Sequence, residues 1–98
     1  MKVLGPKDPA EVKVLTFDFT PEAGAAQLVS ATTTASVDSG EDPNPTRLVE
    51  GEATISGQKV LQKVAGGLHG VIYKLRCTAT DVDGGVHVIV GRLQVQSL

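Results

Sequence analysis

Hydrophobic and polar positions alternate most regularly in the last third of the chain. Val71, Tyr73, Leu75, Cys77 and Ala79 occupy the odd positions there, and Ile72, Lys74, Arg76, Thr78 and Thr80 the even ones. Period-two alternation of that length predicts a strand with its odd face in a core. Residues 81–85 then supply Asp81, Asp83, Gly84 and Gly85, residue types that a hairpin turn selects because they tolerate positive φ. A second apolar run over 86–95 completes a predicted β-hairpin. In that run Val86, Val88 and Val90 share one face while Leu93 and Val95 have the other parity, so a bulge is expected at Gly91.

The same pattern recurs upstream. Over residues 12–19, Leu15, Phe17 and Phe19 share a face opposite Thr16, Asp18 and Thr20, and residues 21–25 break the strand with Pro21 and Gly24. Residues 28–37 predict a Thr-rich strand with Val29, Ala31, Thr33, Ala35 and Val37 inward. Residues 38–46 read as a loop, because Pro43 and Pro45 forbid regular ladder pairing. Two short strands follow at 47–50 and 52–56, divided by Gly51. Over 58–65, Val60, Leu61, Val64 and Ala65 have helical spacing, but eight Val-containing residues make a marginal helix, and strand is the reading adopted. Residues 1–10, with Gly5, Pro6 and Pro9, read as an irregular, flexible N-terminal arm.

About seven short strands separated by turn signals predict an all-β fold, an antiparallel immunoglobulin-like β-sandwich forming a single domain over residues 1–98, with a small barrel as the alternative. Tyr73, near the start of its strand and just after Gly66, Gly67 and Gly70, stands where a tyrosine corner would pin its hydroxyl to upstream backbone. Composition adds that the core cannot rest on aromatics: the chain has two Phe, one Tyr and no Trp among 98 residues. Val, Leu, Ile and Ala must build it. A net charge of −2, with Lys and Arg scattered among acids, gives no electrostatic footprint for nucleic acid. The start has no signal-peptide pattern and no apolar run approaches membrane-spanning length, so a soluble protein without membrane partners is expected. A single cysteine, Cys77, excludes an internal disulfide and fits a reducing compartment.

Candidate chemistry is sparse. Asp81-Val82-Asp83-Gly84 looks like a fragment of a calcium loop but lacks the further oxygen ligands such a loop requires, so it is read as a turn. His69 and His87 have no third metal ligand placed beside them and are expected to be ordinary exposed histidines. Cys77 shares the parity of Tyr73 and Leu75 and should be buried and inert. Asp18, opposite in parity to the two phenylalanines, should be solvated or bonded to a loop amide. No catalytic, cofactor-binding or metal-ligating residue is assigned, and no cofactor is expected. The chain is read as not an enzyme.

The order of motifs resembles a family of small phage and prophage virion proteins of the fiber–tail adaptor type. The resemblance rests on Lys7-Asp8-Pro9 ahead of a strand carrying Phe17-Asp18-Phe19, then on Gly66-Gly67, Gly70 and Tyr73, and then on a Thr-rich strand, a Gly-containing turn and a last strand. Phe19 stands where relatives typically carry tryptophan, and the loop over 39–46 is this chain's own. The resemblance implies an immunoglobulin-like, non-enzymatic structural protein of the virion, made in the bacterial host cytoplasm, that docks on other tail or head–tail proteins. Oligomer formation in the assembled particle stays open. The expected interface is the arm over 3–9 and the loop over 38–47, both predicted to be poorly packed on their own domain. An immunoglobulin-like surface- or carbohydrate-binding module is the alternative.

Overall fold

The computed structural model describes residues 2–24 and 26–98. Met1 of the arm and Ala25 of the expected strand break lie outside the described residues. In chain order the strands are β1 (Lys2–Val3), β2 (Val12–Asp18), β3 (Leu28–Ser39), β4 (Val49–Ser56), β5 (Lys59–Ala65), β6 (Ile72–Asp81) and β7 (Val86–Gln94). Helix is confined to one turn, α1 (Thr20–Ala23), and a 3-10 turn over Pro45–Leu48. Six strands form two antiparallel sheets, β7-β6-β3 and β2-β5-β4, and the two-residue β1 joins β7 in parallel.

Parity explains most of the core. Leu15 and Phe17 of β2, Val60 and Val64 of β5, Tyr73, Leu75, Cys77 and Ala79 of β6, and Ile89 and Leu93 of β7 are buried in one cluster between the sheets, with Phe19 just beyond β2. All three aromatic rings are fully buried. Residues 59–65 form a strand, as adopted. Its centre carries the buried Gln62, whose amide nitrogen donates to the carbonyls of Glu50 (3.3 Å), Gly51 (3.2 Å) and Lys63 (3.0 Å). Those first two carbonyls belong to the stretch where β4 loses register with β5, between Glu50 and Thr54. The two short strands expected at 47–50 and 52–56 are thus one strand with an irregularity at Gly51, and Arg47 belongs to the 3-10 turn before it.

Three further expectations are corrected. Val29 is exposed rather than inward, because the β3–β6 register shifts between Leu28 and Ser30 and puts Leu28 inside instead. No bulge interrupts β7: its pairing with β6 runs unbroken from Ile72↔Gln94 to Thr80↔Val86. Ile89, Gly91, Leu93 and Val95 face inward throughout, and Val86 and Val88 point outward, Val86 at 63% exposure. Valines on the outer face and Ile89 and Leu93 on the inner one remove the polar contrast that parity reading needs. Gly91 serves a different purpose, since a Cβ there would overlap the side chain of Leu4.

That contact overturns the third expectation, a poorly packed arm. After β1 the chain keeps running along β7: Leu4 N–H donates to Arg92 O (2.8 Å), Lys7 N–H to Gln94 O (2.9 Å), and Gln96 N–H to Lys7 O (2.8 Å). Leu4 packs on the core and Lys7 is fully buried. The backbone partners on β7 supply the ladder that the arm's own Gly and Pro content hid.

Candidate docking end

The pairing register sends one set of connections to each end of the two sheets. At one end lie the last residues of the arm, the 40–48 loop, the 66–70 corner and the tail from Val95 onward, because β3, β5 and β7 finish there and β2, β4 and β6 begin there. At the other end lie α1, the β4–β5 turn and the β6–β7 turn. The two segments expected to form an interface are therefore neighbours, although about 30 residues of chain separate Pro9 from Asp38.

Tyr73 holds this end together. Its buried ring extends from β6 so that the hydroxyl accepts from Leu68 N–H (3.0 Å) and donates to a carboxylate oxygen of Asp42 (2.6 Å). The hydroxyl thus ties the 66–70 corner to the proline-containing loop. Burial, reinforced by the Asp42 charge, pushes the phenol up to about 12. The Tyr73 hydroxyl in turn holds the Asp42 carboxyl below its usual range, helped by Asn44 N–H at 2.8 Å. Gly67 is required by packing as well as by its φ of 94°: a Cβ there would lie 2.8 Å from Val95 and 3.3 Å from Leu48.

Lys7 fastens the arm to the same corner. Its ammonium donates to the carbonyls of Gly66 (2.6 Å) and Asp8 (2.9 Å), and burial lowers its pKa. Asp8 accepts from Leu98 N–H and from Ala10 N–H, each at 2.8 Å, and these two amides hold its carboxyl below the usual range. His69, exposed as expected, accepts on Nδ1 from Ser97 N–H (3.0 Å). Gly70 N–H donates to Val95 O and Val95 N–H to Val71 O. A pocket of about 360 Å³ opens between the loop and the corner, lined by Asp42, Pro43, Arg47, Leu48, Gly67 and Leu68 among others. Leu68 in its lining and Leu98 at the same end expose 47% and 76% of their surface.

The opposite end carries the second polar cluster. One Asp81 oxygen accepts from Asp83 N–H (2.9 Å) and Gly85 N–H (2.8 Å), and the other bonds His87 Nε2 at 2.8 Å. The turn reading of Asp81 to Gly84 is thereby explained in detail: the buried carboxylate organises the turn, and His87, with those two amides, holds its pKa down. His87 is half-buried against Asp81 and not the ordinary exposed histidine expected. Asp18 accepts from the Thr20 N–H (2.9 Å) and hydroxyl (2.6 Å), the loop-amide role anticipated for it. Cys77 is buried, and burial pushes its thiol up. Among the described residues His, Cys, Asp and Glu side chains nowhere gather in threes. With every aromatic ring inside the core, no stacking platform for a sugar is presented.

The family model described as podophage GP4 fiber-tail adaptor protein gp77 matches residues 7–90. The chain belongs to that family. The matched span begins at Lys7, where the arm is pinned, takes in β2 to β6 with the 40–48 loop and the corner, and ends within β7 ahead of the tail. No curated protein matches the chain. Fiber–tail adaptors are structural parts of the phage particle, so membership assigns the chain a structural role in the virion and implies binding to other virion proteins. Reading residues in sequence singled out the arm and the loop, but not the burial of Lys7 or the exposed Leu68 and Leu98 at the same end. Lys7 looks like any solvated lysine until β7 is beside it. Leu68 did carry a signal, a lone large hydrophobe between glycines outside any strand.

Proposed function

We propose that this chain is a non-enzymatic adaptor, built as an immunoglobulin-like sandwich, that docks on other tail or head–tail proteins through the end where arm, loop, corner and tail meet. The observation that carries the reading is that convergence in an adaptor-family chain: four segments from distant parts of the sequence, clamped by Tyr73, Lys7 and Asp8, with Leu68 left exposed in the lining of a pocket and Leu98 at the same end. Supporting the architecture, β2-β5-β4 facing β7-β6-β3 reproduces the B-E-D and G-F-C strand orders of immunoglobulin domains, and the Tyr73–Leu68 bond has the geometry of a tyrosine corner. A rigid end bearing a few apolar contacts suits a part repeated around a tail, where many weak contacts add.

Complementation tests the proposal. Particles lacking this protein should lack fibers by electron microscopy. The double variant Leu68→Asp, Arg47→Glu, both exposed positions, should fold but fail to restore fibers, whereas Val14→Asp on the outer face of β2 should restore them. Fully fibered, infectious particles carrying the first variant would overturn the assignment of the docking end.

A further inference from the structure

β3 is the outer strand of its sheet: among the described residues it hydrogen-bonds only to β6, leaving its other edge without a ladder. Natural edge strands are usually blunted by charge, proline or a bulge. Between Ser30 and Val37 this one has none of the three, the two register shifts falling just outside that stretch. The edge also borders a seam of about 560 Å³ between β3 and β4, whose walls include Ala31, Thr33, Gly51, Ala53 and Gln62. Thr33 lines that seam and is only 8% exposed, with the Cys77 thiol opposite it on β6.

The sequence of the strand says which molecule. Val29-Ser30-Ala31-Thr32-Thr33-Thr34-Ala35-Ser36-Val37 reads the same in both directions, centred on Thr33. Over the regular stretch from Ser30 to Ser36, two antiparallel copies related by a twofold axis through Thr33 place every side chain opposite its own kind: Thr33 on Thr33, Thr32 on Thr34, Ala31 on Ala35 and Ser30 on Ser36. Directly opposed residues point to the same face, so the inward set of one copy meets the inward set of the other and the pleat continues. The two Thr33 residues then stand directly opposite each other at cross-strand distance. Such an interface is isologous, as a closed dimer requires. We infer that β3 is a self-pairing edge, through which two copies join their β7-β6-β3 sheets into one continuous sheet. This goes beyond the adaptor role and does not depend on which virion protein the docking end meets.

Sedimentation of the full chain from about 1 µM to 1 mM tests it, that range covering the weak affinities expected of a small edge interface. The wild type should show a reversible monomer–dimer equilibrium. Thr32 and Thr34 lie on the exposed outer face, so charges there leave the fold intact, which circular dichroism checks. Thr32→Lys with Thr34→Lys sets like charges opposite each other twice and should weaken the dimer at least about tenfold. Thr32→Glu with Thr34→Lys sets opposite charges there and should dimerise at least as well as wild type. A monomer throughout the range, or a dimer equally strong in the two charge variants, would overturn the inference.

Discussion

Tyr73 joins two segments through one oxygen, and both of its partners are left wanting if that oxygen goes. Tyr73→Phe keeps the buried ring but strands the Leu68 N–H and removes a donor from Asp42. The expected loss is about 1–3 kcal/mol of unfolding free energy, measured by urea titration at neutral pH. An unchanged midpoint would mean that water replaces the hydroxyl at no cost. The position of this tyrosine could be read in advance from the glycines before it and the parity after it. Its second partner could not, because Asp42 lies 31 residues upstream in a loop with no periodicity. Lys7 and Gln62 escaped for a related reason. Both are polar residues buried because distant backbone carbonyls receive them, and a one-dimensional pattern records a lysine or glutamine as solvent-facing. Cys77 and Asp18 were legible because short-range parity alone decides where they point.

Among the elements, β2 and β6 follow from alternation. β5 does not, because its middle inward position is the polar Gln62. β7 and the arm do not either, and those two failures share a cause. β7 carries valines outward and a glycine inward, an arrangement that makes sense only once Leu4 is seen lying over Gly91. The arm in turn has no periodicity of its own, since its ladder partners lie almost 90 residues away in the chain. This mutual dependence is testable at the level of the element. Gly91→Ala should push Leu4 off its seat at a cost of about 1–3 kcal/mol. Hydrogen exchange should show the Leu4 and Lys7 amides losing protection while the β6–β7 ladder keeps its own. Adding Leu4→Ala makes room for the new methyl and should return much of the protection, the non-additive signature of residues in contact. Loss of protection across β6 and β7 as well would mean that Gly91 is needed by the hairpin itself and not by the arm.

For the molecule as a whole, three carboxylates hold connections rather than strands: Asp8 the arm and tail, Asp42 the loop and corner, and Asp81 the turn at the opposite end. Each is held below its ordinary value of 3.8 in the folded state, chiefly by Leu98 N–H, by the Tyr73 hydroxyl and by His87 respectively. A depressed carboxyl binds fewer protons folded than unfolded, so its contribution is complete above the unfolded value and is lost as pH falls through the folded ones. Tyr73 acts at the other limit with the opposite sign. With its phenol raised from 10.0 to about 12, its contribution is complete below pH 10 and fades as pH rises through 12. The urea midpoint should therefore be level through the neutral range and fall on either side of it. Because two of the three carboxylates sit at the end where arm, loop, corner and tail meet, acid below pH 3.8 should open that end before the sheets separate. The Ala10, Leu98 and Asn44 amides should then exchange early, while those of β3 and β6 remain protected. A uniform loss of protection across both sheets at the same pH would show that the clasps and the sheets are one cooperative unit.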